Sequence, residues 1–231
     1  DPLVREAFDL AIDRETMVDI VLEGLGKPAN QLMPPGFFGS NEDIPSKEYN
    51  PDRARELLAE AGYPDGFQID LYCTSDRLPG DGAICQGLGQ MFTQAGIETN
   101  VNAISRTVYF PAQARKEYSV FMNGWGTLTG EASYTLGGLA HSDNPEVGLG
   151  AFNRIEYVNE QVDTLLQEGA TTLDADTRRE MYEEAMALVV EDRAYIPVVQ
   201  LQTVWAARAG EYEFAPRYDE DTLAFFIRPA N

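Results

Sequence analysis

Cysteine, histidine and basic side chains are all scarce in this chain, and each scarcity removes a class of function. The 231 residues include two cysteines and one histidine. Zinc centres and most nucleophilic or acid–base sites draw on several such residues, so histidine chemistry would have to run through His141 alone. Lysine and arginine together number 17 against 38 acidic residues, a formal charge of −21. The acidic residues are spread along the sequence rather than gathered in a tail, which describes a solvated surface. The basic footprint that nucleic acid requires is missing, so no nucleic-acid partner is expected. Long apolar runs are missing too: none approaches the roughly 18 residues of a spanning helix, and an anionic membrane would repel the charge.

What is present fits a folded, soluble globule. The hydrophobic fraction is 44%, and the length suits one large domain or two small ones. Cys73 and Cys85 lie close enough in sequence for a disulfide in an exported protein, or are two ordinary thiols in a cytosolic one. No signal peptide and no initiating Met precede Asp1, so the chain reads as a piece of something longer.

Periodicity and punctuation order the chain. Leu3, Val4, Phe8, Ala11 and Ile12 form one helical stripe, and Asp13 is placed to cap a second helix over 14–23 with Met17, Ile20 and Val21 inward. The proline- and glycine-bearing stretch 27–50, with Phe37 and Phe38, reads as a long surface excursion. Those two rings are either an exposed binding platform or a staple holding the loop. Asn50 and Pro51 start a helix that Gly62 ends, and 67–73 and 97–104 alternate as strands around a helix from about 82 to 95. A short helix near 107–116 and a third strand over 118–123 follow. Strands alternating with helices predict an α/β fold with a mixed, mostly parallel sheet flanked by helices. Beyond a glycine-rich stretch, 124–138, come helices over 159–168 and 174–191, then strands over 195–201, 204–207 and 223–227.

The run Gly124 to Glu131 follows the third strand, where open α/β sheets place ligands. It lacks the spacing of a dinucleotide fingerprint, and no cofactor is implied. Trp125 is either a packing wall for a ligand or a core tryptophan flanked by turn glycines. Arg77, in the loop after the first strand, has the planar fork to clamp a carboxylate or phosphate, or is a solvated surface arginine. His141 with Ser142 and Asp143 cannot form a triad from adjacent positions and reads as a surface-loop histidine.

Several runs carry a resemblance. Val4-Arg5-Glu6-Ala7-Phe8 through Ala11-Ile12-Asp13-Arg14 resembles the "VRqAl..AIDR" helix pair, and 24–29 the "GlGkPA" turn, of extracellular solute-binding protein family 5. The run from Tyr49-Asn50-Pro51 to Ala61-Gly62-Tyr63 is similar to that family's "YdPekAkeLLaeAGY", and 159–165 to "NpevDaLl". The resemblance implies a periplasmic-binding-protein-like lobe: residues 1–231 as the C-terminal lobe of a two-lobed receptor, with 215–231 returning towards an N-terminal lobe absent from this sequence. It further implies periplasmic localisation and a monomer that captures a peptide, opine or related small solute for an ABC permease without catalysis.

By the same resemblance, peptide binders keep an Asp three residues after the Gly-Trp tryptophan for the ligand's amino group. Leu128 stands there in this chain, and a neutral aliphatic cannot replace a buried countercharge. The expected ligand contacts are Trp125 as packing wall, Thr127, Leu128, Thr129 and Glu131 around it, Arg77 as anion clamp and Tyr109 as a second aromatic. Two other classes remain: a protein-interaction domain using Phe37 and Phe38, and a hydrolase built on Glu131 or His141.

Overall fold

Capping side chains start five of the α-helices of the computed structural model, which describes residues 1–217 and 219–230. Asp1 accepts the backbone N–H of Leu3 at 2.8 Å and opens α1 (Pro2–Leu10). Asp13 accepts that of Thr16 at 2.9 Å and opens α2 (Arg14–Thr16). From Met17 to Val21 the helix widens into a π-turn, with the Leu22 N–H reaching back to the Met17 carbonyl. The wider turn rotates the apolar stripe, so Met17, Val18 and Leu22 are buried while Ile20, expected inward, is 74% exposed.

After β1 (Gly26–Pro28) the irregular stretch is tied down rather than free. Phe38 bridges to Glu131, its ring meets Tyr182 edge-on at 6.4 Å, and the Arg178 and Arg179 guanidinium groups lie about 5 Å from it. Phe38 is therefore a staple. Asn50 then accepts the Arg53 N–H, and Pro51 takes the first position of α3 (Pro51–Glu60).

The sheet comes next: β2 (Phe67–Thr74), α4 (Asp81–Gln94), β3 (Ile97–Ile104), α5 (Arg106–Ala114) and β4 (Val120–Phe121). The three strands run parallel in the order β3-β2-β4. The third is shorter than expected, pairing only Val120 and Phe121 with Leu71 and Tyr72. Leu71, Ile84, Leu88, Phe92 and Ile97 pack with Phe8, Leu57 and Leu58 into one core. Within it Cys73 on β2 and Cys85 on α4 are joined as a disulfide, which selects between the two readings of the cysteines.

A second core gathers Leu136, Val162, Leu166, Tyr182, Met186 and Val189 from α6 (Ala132–Leu139), α7 (Glu160–Thr171) and α8 (Ala175–Glu191). Asn159 and Asp174 cap the last two. Helix α6 occupies the second half of the glycine-rich stretch 124–138, with Gly137 and Gly138 where neighbouring side chains press close. The chain then returns: β5 (Val199–Leu201) pairs antiparallel with β1, and Arg14 Nε donates to the Pro197 carbonyl at 2.8 Å. Residues 204–207, expected as a strand, lie in no strand. The expected strand over 223–227 is instead a short 3₁₀ turn, Ala224–Phe226, leading into β7 (Ile227–Pro229), which pairs with β6 (Tyr212–Phe214). Of the 215–231 segment, 218 and 231 lie outside the described residues. The core sheet is thus wholly parallel, with antiparallel ribbons at its margin.

Candidate ligand-binding site

Two loops leave carboxyl ends of the parallel strands and meet: 75–80 after β2, and 122–131 after β4. The first is pinned at both ends by aspartates. Asp76 accepts the Arg106 N–H at 2.7 Å and the Ser105 hydroxyl at 3.0 Å, so it caps α5 from another loop. Those hydrogen bonds, chiefly that from the Arg106 N–H, hold its carboxyl below the ordinary aspartate range. Asp81 accepts the N–H groups of Arg77, Leu78 and Gly82. Burial opposes its ionisation most, yet those donors and the Thr74 hydroxyl together still lower its pKa.

Between these anchors Arg77 is fixed in direction. Its Nη1 donates to the Gly124 carbonyl at 2.7 Å and its guanidinium lies 5.2 Å from the Phe110 ring. Gly124 permits the approach: a Cβ there would stand 2.3 Å from Leu78 Cδ1 and 3.3 Å from Arg77 Nη1. Trp125 continues from it, packing on Tyr134 at 5.6 Å and edge-on to Phe152 at 5.2 Å. A Cβ at Gly138 would touch the Trp125 ring at 3.1 Å, so glycine on α6 lets the indole lie flat against that helix. Arg77, Phe110, Asn123, Gly124, Trp125, Phe152 and Arg154 line one cleft of about 380 Å³ between the sheet half and the helical half. Such a cleft, with apolar rings as walls and a few fixed polar groups, orients a small ligand by its charged ends.

Of the residues named from sequence, Arg77 and Trp125 are brought together here. Tyr109 is not: it is buried at 1% exposure, its hydroxyl donating to the Met122 carbonyl at 2.8 Å and accepting from Gln113. Burial pushes that phenol upward, and its work is to brace the end of β4. Thr127 and Thr129 accept the N–H groups of Gly130 and Glu131, shaping their own loop, and Leu128 is 64% exposed on it. Glu131 turns away to Arg178 at 3.1 Å. Phe110, Phe152 and Arg154 carried no sequence signal, since nothing local distinguishes an aromatic that lines a cleft from one that fills a core.

His141, expected on a surface loop, is buried at 1% exposure. Its Nδ1 lies 2.6 Å from the Ser142 carbonyl, which only accepts, so Nδ1 carries the proton; Nε2 accepts from Gln167 at 2.9 Å. Nδ1 also lies 3.6 Å from Asp163 Oδ1, so the ring is held by structural partners on both sides. Among the described residues no group of three or more His, Cys, Asp and Glu is arranged to hold a metal ion.

A parallel sheet flanked by helices, opening at its strand ends on an aromatic and cationic cleft, is a fold of periplasmic binding proteins. The same fold is found in the periplasmic binding protein DppA of Helicobacter pylori, solved with the peptide STSA, at 22% identity and a TM-score of 0.81 over 100% of this chain and 44% of that one. The chain belongs to the bacterial extracellular solute-binding proteins, family 5, whose middle-region model matches residues 1–146. It is 34% identical over 205 residues to the glutathione-binding protein GsiB of Salmonella choleraesuis, covering 86% of this chain and 39% of that protein. NikA of Staphylococcus aureus, solved with Ni(L-His)2, is 26% identical with a TM-score of 0.76, over 86% of this chain and 42% of its own. The chain thus spans about two fifths of the length of the curated relatives it matches. The family is one of extracellular proteins, which places the chain outside the cytoplasmic membrane. No helix among the described residues is long and apolar enough to cross a membrane.

Proposed function

We propose that residues 1–231 are the C-terminal lobe of a two-lobed receptor that binds a small solute, a peptide or a related carboxylate-bearing compound, and delivers it to an ABC permease. The observation that carries this reading is the cleft at the strand ends, where Arg77 is aimed by the Gly124 carbonyl beside the Trp125 wall. Arg77 Nη1 is spent on that carbonyl, which leaves Nε and Nη2 to grip a carboxylate side by side. Trp125, Phe110 and Phe152 take the apolar body of the solute, and a second lobe closes over it. Glutathione, peptides and histidine complexes, the ligands of the similar proteins, all present carboxylates. Leu128 in place of an amino-anchoring aspartate argues against a ligand held by its N-terminus. Phe225, 70% exposed, and Ile227, 40% exposed, give the 212–230 hairpin apolar surface suited to the other lobe. The receptor acts as a monomer and catalyses nothing.

The test is a thermal-shift screen of the full two-lobed protein against glutathione, short peptides, opines and nickel–histidine. A ligand at 100 times its Kd adds about 2.7 kcal/mol of stability. Trp125→Ala is expected to weaken the hit at least tenfold, on the order of 1.4 kcal/mol, with the unfolding midpoint of the ligand-free protein little changed. If Trp125→Ala and Arg77→Ala both bind as tightly as the wild type, the site is elsewhere.

A further inference from the structure

The cleft holds a second guanidinium. Arg154 lines it from the loop between α6 and α7, its Cζ 5.6 Å from the Phe152 ring. In a chain with 38 acidic and 17 basic residues, a cation has no shortage of carboxylates to pair with. Arg14, Lys47, Arg53, Arg115, Arg178 and others each have one within 4.0 Å. Arg77 and Arg154 have none among the described residues, and no acidic side chain lines the cleft they share. Among the described residues Arg154 also makes no side-chain hydrogen bond, which leaves its five donors open to a ligand. Two like charges facing one concave, apolar-walled space raise the free energy of the empty cleft, and an anion spanning them lowers it.

We infer that Arg154 is a second anion contact, and that the cleft selects a solute with two separate carboxylates, one on Arg77 and one on Arg154, with its apolar middle between Trp125 and Phe110. This rests on the solute-receptor reading and deepens it from carboxylate-bearing to dicarboxylate. Stacking on Phe152 holds the Arg154 plane in place, as stacking on Phe110 does for Arg77. The two arginines divide the work: Arg77, fixed by Gly124, serves every carboxylate ligand, whereas Arg154 discriminates by the second charge.

The experiment is calorimetric titration of the full two-lobed protein with two matched pairs: glutathione with its monoethyl ester, and the dipeptide Ala-Asp with Ala-Asn. Wild type is expected to prefer the dicarboxylate of at least one pair by about tenfold. Arg154→Gln is expected to remove that preference by weakening the dicarboxylate while leaving the monoacid within about twofold, whereas Arg77→Gln weakens both. Arg154→Lys, keeping the charge without the fork, retains part of the preference, and unfolding midpoints within about 2 °C of wild type keep folding out of the comparison. Equal affinity within both pairs, or an unchanged preference in Arg154→Gln, overturns the inference. A wild type that takes only neutral solutes, such as sugars, also overturns it and leaves the receptor reading standing. Binding of no solute of any class overturns both.

Discussion

At the scale of single residues, the site depends on two missing methyl groups and two carboxylates. Gly124→Ala would set a Cβ 2.3 Å from Leu78 and 3.3 Å from the Arg77 guanidinium, so both must move. Overpacking of this kind costs about 1–3 kcal/mol, measurable by urea denaturation, and ligand affinity is expected to fall by more than that stability loss because Arg77 is re-aimed. Asp76 and Asp81 make the same arginine pH-sensitive. Both carboxyls are held below their ordinary value of about 3.9, so their stabilisation is complete above that value and is lost as pH falls through the lowered folded values. Affinity should therefore stay flat on acidification from pH 7 to about 5 and drop below about 4, with loosening of the 75–80 loop preceding global loss of circular dichroism. Asp81→Asn, which turns one acceptor oxygen into a donor facing backbone N–H groups, should weaken binding already at neutral pH. The sequence marked Trp125 and Arg77 because each adjoins the end of a predicted strand. It could not mark Arg154 or Phe152, which reach the cleft from a loop between helices, through contacts set only by tertiary packing.

At the scale of elements, the helices were legible wherever a capping residue met a regular stripe: Asn50 with Pro51, Asn159 and Asp174 all start helices as their chemistry requires. Reading failed where the geometry departs from 3.6 residues per turn. The π-turn at Met17–Val21 carries Ile20 to the surface and Val18 and Leu22 inward, which a fixed helical period misassigns. Ile20→Ser is therefore expected to change stability by less than about 0.5 kcal/mol, while Met17→Ala, which empties a wholly buried site, costs about 2–5 kcal/mol in the same denaturation assay. The helix pair is also locked to the far end of the chain. Buried Asp9 lies within 4.0 Å of Arg14, Lys47 and Arg193, and Arg14 reaches the Pro197 carbonyl beyond α8. The failures at 204–207 and 223–227 have a different cause. Both segments are β-rich in composition, but strand pairing is set by a distant partner that local propensity does not specify, and only Ile227–Pro229 finds one.

At the scale of the whole molecule, the parallel core and its flanking helices were readable because strand and helix periods alternate cleanly from 67 to 121. The pairing of β1 with β5 was not, since it joins residues at opposite ends of the chain, and the short β6–β7 pair carries too weak a local pattern to announce itself. The disulfide between β2 and α4 fastens the base of the loop that carries Arg77, both cysteines lying within the core. Closing so short a segment of chain stabilises the fold by about 3 kcal/mol in the chain-entropy picture. Cys73→Ser with Cys85→Ser is expected to lower the unfolding midpoint by several degrees and to make it insensitive to dithiothreitol, to which the wild type responds. The same bond also sets a timetable for the protein's maturation. A reducing compartment keeps such thiols as thiols, so the hoop beneath Arg77 closes only in an oxidising one. The loop that carries Arg77 is thereby braced only under oxidising conditions, and a reduced copy holds it without that tie.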